Sequence, residues 1–304
     1  MAIKNVALVG ANGNLGGPIL EALINSKLFN VTILKRASSS SNPTPGSNVR
    51  VVDIDDGMSL DSLRSALEGQ DACIASFPLK DTEQHLRLVD AAAAAGVKRF
   101  IPADYGSCDS NSEQAQELVP LFLNKVRVRE RCQEHAKDNP NFTWTSLVAG
   151  HFFDWGLREN FLHFNIDTKT ADILDDGTYR SSTSTLARIA EAVVKVLRDE
   201  DVGRNKMLFM QSFCVSQLDV LASLEKATGE KWKVNWLKSN EFIKENKAKA
   251  DGGDRDAIEH LVFALGAIDG DWEKKDGFAM DALGLRNEDL DEVVQKVVSE
   301  VRSS

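Results

Sequence analysis

The stretch Val6-Ala7-Leu8-Val9-Gly10-Ala11-Asn12-Gly13-Asn14-Leu15-Gly16 decides the fold. A short apolar strand runs into a turn with glycines at i, i+3 and i+6. An apolar-periodic helix carrying Leu15, Ile19, Leu20, Leu23 and Ile24 follows without a break. That order presents backbone N–H groups and a helix N-terminus to an anion, with no side chain in the way. In this reading Gly10 permits the tight turn and Gly13 lets a pyrophosphate approach the backbone. Gly16 lets the helix pack close to the strand. Asn12, Asn14 and Leu15 complete the phosphate-binding turn. A strand before the glycines and a helix after them make the pattern specific for a dinucleotide.

Outward from this turn, strand and helix signals alternate. Apolar, β-branched runs fall at 31–34, 49–52, 72–75, 99–101 and 143–148, and helical patterns at 60–67, 84–95 and about 112–136. Such alternation predicts repeated βαβ units: an α/β, Rossmann-type doubly wound parallel sheet over residues 1–150. Residues 38–47, rich in Ser, Pro and Asn, read as a surface loop. The remainder, 151–304, is less regular. It is expected to form a smaller, mostly helical substrate lobe, with some segments returning to the first domain. Helices are expected there at 186–198, 216–228, 239–250 and 289–301, and strands near 206–210 and 231–236. Four of the five tryptophans lie after residue 150. They suit an apolar substrate pocket, and ordinary core packing accounts for most of them one by one.

With 304 residues, 42% of them hydrophobic, and a formal charge of −10, the chain has the composition of a soluble globular protein. The acidic balance argues against nucleic acid or an anionic membrane as partner. No apolar run spans a bilayer. The first strand begins at about Ile3, which leaves no room for a targeting segment, and the expected location is cytoplasmic. Cys73, Cys108, Cys132 and Cys214 have no metal-ligand spacing, so free thiols and no metal are expected.

Cofactor choice is read at the end of the second strand, where NAD-binding folds place an acidic residue on the ribose hydroxyl. Here Lys35 and Arg36 stand there, with Ser38 and Ser39 beyond. A guanidinium suits a phosphate by charge and by bidentate geometry, which favours NADPH. The alternative is a pair of solvated basic residues at a strand end. Asp53 is placed to touch the adenine edge or to sit in a surface turn. Ser76 and Phe77, ending the fourth strand, mark the crevice beside the cofactor.

The Y-x-x-x-K pair of tyrosine-dependent dehydrogenases is absent. Tyr105 is followed four residues later by Asp109, and Tyr179 by Thr183. Val97-Lys98-Arg99-Phe100-Ile101-Pro102-Ala103-Asp104-Tyr105-Gly106 instead resembles the signature of the isoflavone reductase-like, or NmrA-like, atypical short-chain dehydrogenases. Arg36, Gln84 and the segment from Leu147 to Gly156 agree with it, the last resembling fungal members. The likeness is close over about residues 3 to 160 and otherwise rests on element order. The resemblance implies that Lys125, early on the following helix, is the proton-transfer residue beside the nicotinamide, and that Lys125 and Phe152 also bind the cofactor. It also implies an NADPH-dependent reductase acting on an aromatic or polyketide-like small molecule, as a monomer or homodimer.

An ammonium there can stabilise an oxygen that gains charge. Arg127, Arg129 and Arg131 meanwhile suggest a solvated, charged face. Two positions depart from the family pattern: Ala103 replaces a serine, and Gly150 an asparagine. Tyr105 or His151 could supply the missing polar group, or His151 could be a structural ring on a loop. His85, His135, His163 and His260 show no spacing for a metal or triad. The expected crevice is lined by Phe77, Tyr105, Lys125 and residues 150–156. Two other readings stay open: a dinucleotide-sensing regulator without turnover, and a redox-neutral cyclase or isomerase using the same pocket.

Overall fold

The computed structural model describes residues 2–39 and 48–303. Most of the expected 38–47 loop, residues 40–47, lies outside the described residues. The chain forms two compact units. The first comprises Met1–Tyr105, Leu121–Leu147 and Ile189–Leu208, and the second Gly106–Pro120, Val148–Arg188 and Phe209–Ser304. Residues 106–120 group with the second unit, and 189–208 with the first.

In the first unit, β1 (Asn5–Val9) leads through the glycine turn to α1 (Gly16–Ser26), β2 (Asn30–Arg36) and β3 (Val49–Ile54). Next come α2 (Leu60–Ala66), β4 (Ala72–Ala75), α3 (Thr82–Ala94) and β5 (Arg99–Ile101). After α4 (Glu113–Leu118), which groups with the second unit, α5 (Pro120–Asp138) precedes β6 (Thr143–Val148). The sheet has seven strands, in the order Lys206–Phe209, β6, β5, β4, β1, β2, β3. Each pair from β6 to β3 is parallel. The chain crosses over between β1 and β4, and Val9 lies in register with Ala75. A ligand crevice opens at the carboxyl ends of strands flanking such a switch point. The turn at Gly10 and the Ser76–Phe77 segment end those two strands.

The strands form where their apolar residues can be buried. Val6, Ala7, Leu8, Ile74 and Phe100 are all buried, as are Leu63, Leu88, Val128 and Phe142 from the helices and loops around them. Each such large side chain contributes roughly 1.5–3 kcal/mol. The helical signal over 112–136 resolves into two helices, because Val119 is extended and Pro120 opens α5. A proline cannot supply the N–H of a helix interior, and it fits the first helical position well.

The second unit holds two three-stranded sheets. One orders Phe213–Ser216, Arg180–Ser184 and His151–Phe152, and the other Lys233–Leu237, Thr170–Leu174 and Phe164–Asn165. The lobe is mostly helical and also carries these short strands. Expected helices appear as Leu186–Arg198, Gln217–Thr228, Ser239–Asp251 and Leu290–Ser303. A further helix, Arg255–Ile268, was not among them. Asp254 caps it by accepting from the Asp256 and Ala257 amides, and it buries Ala257, Leu261, Ala264 and Leu265. Trp232 packs in a core with Phe153, Phe164 and Phe213, so much of the aromatic content is packing.

Candidate active site

Gly10 adopts φ +92°, and a Cβ there would lie 2.3 Å from the Ser76 carbonyl oxygen. A Cβ on Gly16 would lie 1.9 Å from the Gly10 oxygen. Both glycines are therefore demanded by the chain's own packing. Gly13 differs. Its added Cβ would meet only the Gly10 and Ser76 oxygens, at 3.4 and 3.5 Å, which is ordinary contact. Nothing in the protein requires a bare backbone at Gly13, whereas a phosphate at the turn does.

Asn12, Gly13 and Asn14 are exposed, and Leu15 and Gly16 are buried beneath them. The α1 N-terminus has no side-chain cap and no acid in its first turn. Its positive dipole end is left for an anion. These features fit a dinucleotide pyrophosphate.

At the end of β2, Arg36 is exposed. Lys35 is engaged: its Nζ donates to the Ser39 carbonyl at 3.1 Å and lies 3.7 Å from the Asp53 carboxylate. Asp53 is in β3 itself, in register with Lys35, with an exposed side chain. Of the two cations at this end, Arg36 is the one presented to solvent. Ser76 donates its amide to the Val9 carbonyl at 2.8 Å, which fixes the crevice edge. Phe77 stacks on His85 with ring centroids 3.9 Å apart. Burial holds the His85 imidazole down at about 4, so it is a neutral packing ring.

The chemistry-bearing cluster sits around Asp104, whose carboxylate is almost fully buried. Arg129 donates to its Oδ2 at 2.6 Å and the Ser146 hydroxyl to the same oxygen at 2.5 Å. Lys125 donates to the Asp104 backbone carbonyl, and its Nζ lies 3.9 Å from Oδ1. That Oδ1 accepts no hydrogen bond. The Lys125 side chain is only 10% exposed, with Nζ 5.6 Å from the centre of the Phe122 ring. Lys125 and Arg129 are four apart on α5 and so share a face. The solvated face expected for the arginines holds for Arg127, which is exposed, and fails for Arg129, which is buried. Asp104, Arg129 and Ser146 are site residues that the sequence reading passed over. The i, i+4 spacing of Lys125 and Arg129, together with the acid in the 97–106 signature, was the available signal.

Tyr105 follows Asp104 at φ +35°, an unusual conformation for a residue with a side chain. It is buried, and its hydroxyl has no hydrogen-bond partner. Burial is the main cause that pushes the phenol up, with Asp104 adding to it, so Tyr105 is a neutral donor. A buried hydroxyl without a partner is the kind of group a ligand oxygen can satisfy.

His151 and Phe152 lie in the second unit. The His151 Nε2 is 3.3 Å from the Val262 carbonyl, and the ring packs among Phe161 and Phe263. Burial pulls it to about 4, so it is uncharged near neutral pH. A Cβ on Gly266 would come within 2.4 Å of that nitrogen. These contacts describe the structural ring of the two alternatives. Gly150 adopts φ +73°, and a Cβ there would lie 2.0 Å from the Ser182 carbonyl oxygen. No side chain can stand at 150 in this backbone, which accounts for the departure at that position.

The remaining histidines are partnered. His135 pairs with Asp90 at 2.7 Å. His163 lies between Asp172 and His260, with 3.0 Å on each side. The fold brings these partners together from separations that no local spacing reveals. All four cysteines are free and buried. No helix among the described residues is long and apolar enough to cross a membrane.

Known proteins agree with this architecture. Oxidoreductase aprR of Aspergillus flavus is 33% identical over 312 aligned residues, covering 98% of this chain and 99% of that protein. Oxidoreductase poxI of Penicillium oxalicum is 32% identical, covering 95% and 92%. Among solved structures, AtPrR2 with NADP+ and (+)pinoresinol superposes with a TM-score of 0.77 at 19% identity, covering 98% of this chain and 99% of that one. It shares the fold. The NmrA-like family matches residues 2–292, well past the segment whose motifs first suggested it, and the chain belongs to that family.

Proposed function

We propose that the protein is an NADPH-dependent reductase of an aromatic or polyketide-like small molecule, with Lys125 as the group that handles charge and proton at the substrate. The observation that carries this reading is the placement of Lys125. Its ammonium is buried, aimed by the Asp104 carbonyl, and balanced by a carboxylate that already holds Arg129. A lysine kept only for solubility is not built in this way.

The Gly10 to Gly16 turn and the α1 N-terminus would hold the pyrophosphate, Arg36 the 2′-phosphate, and Ser76 and Phe77 the crevice wall. Bound NADPH supplies the hydride. Lys125 donates a hydrogen bond to the substrate oxygen, or to the oxygen conjugated with the accepting carbon. It gives that oxygen a proton as negative charge builds there, and is reprotonated from solvent. In a low-dielectric site such a donor is effective because it is already oriented. Asp104 and Arg129 keep it oriented, and the Tyr105 hydroxyl is a second donor for the same oxygen. His151 has no proton-transfer role in this scheme. The accepting bond is a C=C, C=O, imine or quinone-methide-like carbon, and the named oxidoreductase relatives from fungi are consistent with that class.

The test is NADPH oxidation, followed by absorbance, across aromatic ketones, conjugated enones and quinones. Turnover that Lys125→Met abolishes supports the reading. NADPH binding with no turnover on any of these acceptors favours a dinucleotide-sensing regulator. Conversion of an acceptor without NADPH consumption favours a cyclase or isomerase.

A further inference from the structure

Asp172, His163 and His260 form a hydrogen-bonded row within the second unit. Asp172 Oδ2 is 3.0 Å from His163 Nδ1, and His163 Nε2 is 3.0 Å from His260 Nδ1. The other oxygen of Asp172 accepts from Asn235 Nδ2 at 2.9 Å. His163 is held firmly. Its side chain is 11% exposed, its backbone sits at φ +60°, and its ring stacks on Phe263 at 4.2 Å. Burial pulls its imidazole below the ordinary histidine range, so the ring is neutral at neutral pH.

With His163 neutral, the direction of this row follows from hydrogen-bond bookkeeping. A carboxylate only accepts, so His163 must carry its proton on Nδ1. Its Nε2 is then a lone pair, and His260 must donate to it from Nδ1. His260 Nε2 is left as a lone pair in turn. Among the described residues no other hydrogen bond reaches His260, and the ring is half-buried with Phe242 at 5.7 Å, edge to face. A metal ion between the two rings fits poorly. Their facing nitrogens point along one shared hydrogen bond, whereas chelation needs lone pairs that converge on one point.

We propose that Asp172, His163 and His260 are a directed proton relay whose outer nitrogen, His260 Nε2, accepts a proton from the hydroxyl of a phenol or enol ligand. The ligand's O–H proton moves to His260 Nε2, and the Nδ1 proton of His260 passes to His163 Nε2. His163 then holds two protons against the Asp172 carboxylate, and the ligand is left as an oxyanion. The relay carries the positive charge inward, to the one group that neutralises it. A phenol or enol fits because its acidity lies nearer that of imidazole than an aliphatic alcohol's does, and because Phe242 offers a flat ring a face or an edge. Nothing here depends on a dinucleotide.

Asp172→Asn reverses the row. The asparagine keeps its oxygen on Asn235 and donates its amide to His163 Nδ1. Both rings then carry the proton on Nε2, so His260 turns from acceptor to donor. Ring 15N NMR of the full chain at about pH 8, where ordinary histidines are neutral, reads this directly. His163→Gln and His260→Gln assign the signals. Both rings are expected as Nδ1–H in the wild-type chain and as Nε2–H in Asp172→Asn. An Nε2–H form of either ring in the wild type, or no change in the variant, overturns the relay.

The binding arm uses 4-nitrophenol, whose absorbance reports its ionisation. Below the pH at which free 4-nitrophenol ionises, it is expected to show the anion's absorbance when bound to the wild type, to bind at least tenfold more weakly to His260→Gln, and to lose the anion's absorbance in Asp172→Asn, whose His260 no longer takes the proton. No binding, or the same absorbance in the wild type and Asp172→Asn, overturns the ligand assignment. Neither result bears on NADPH turnover, which tests the other reading.

Discussion

Two aspartates in this molecule do opposite things with a carboxylate. Asp104, in the first unit, is 2% exposed and surrounded by a guanidinium, an ammonium and a hydroxyl. Asp172, in the second, is 35% exposed and faces an imidazole and an amide. The Asp104 carboxylate binds Arg129 and Ser146 directly and lies 3.9 Å from Lys125. Asp172 binds the His163 imidazole, whose other nitrogen meets His260. A carboxylate buried among cations can position a donor, whereas one at the end of an imidazole row sets a direction.

The largest effect that can break this comparison is on stability. Asp104→Ala removes the carboxylate that accepts from the buried Arg129 guanidinium, and the unfolding free energy in urea is expected to fall by about 3–5 kcal/mol. Asp172→Ala, at a half-exposed carboxylate that accepts from a neutral ring, is expected to cost about 1 kcal/mol. Equal losses would erase the distinction. A kinetic counterpart comes next. Lys125→Met is expected to lower turnover of an accepted substrate by roughly 10²–10⁴-fold, with NADPH affinity within a few-fold of wild type.

Acid titration sharpens the picture of the buried rings. His85 and His151 are both held near 4 by burial. In the unfolded chain they titrate near 6.5, so unfolding takes up protons as pH drops below that value. Stability is therefore fully present above about pH 6.5 and is lost as pH falls toward 4, by about 3 kcal/mol per ring. Urea unfolding of His151→Phe across this range should show a slope shallower by one proton. An unchanged slope would place His151 in contact with solvent.

The smallest effects separate two glycines. Gly16→Ala should destabilise by about 1–3 kcal/mol, because its Cβ would overlap the Gly10 carbonyl. Gly13→Ala should leave stability within about 0.5 kcal/mol and still weaken NADPH more than tenfold. Parallel losses of stability and binding in both variants would mean that Gly13 serves only the protein.

The first unit was largely readable because its strands are short apolar runs at regular spacing, and its turn needs glycine for reasons that each residue shows locally. Lys125 was readable from a family likeness. Its surroundings were not. Arg129 looks like Arg127 in sequence, and only the packing of α5 decides which of them is buried. The Asp172 row joins residues 9 and 97 positions apart, so no periodicity announces it. In the second unit, strands of two to five residues carry too little alternation to register. The helix Arg255–Ile268 did have a signal, in Asp254 after two glycines and the apolar spacing beyond it, and that signal was passed over.

In the proposed function the first unit holds a 2′-phosphorylated dinucleotide through Arg36. Equilibrium fluorescence titration of NADPH and NADH against the wild-type chain and Arg36→Ala decides this. NADPH is predicted to bind the wild type at least tenfold tighter than NADH. Arg36→Ala is predicted to weaken NADPH by roughly 10–100-fold, the worth of one charged hydrogen-bonding partner, and to leave NADH unchanged. Equal affinity for the two dinucleotides, or an Arg36→Ala chain that binds NADPH as well as the wild type, would contradict it.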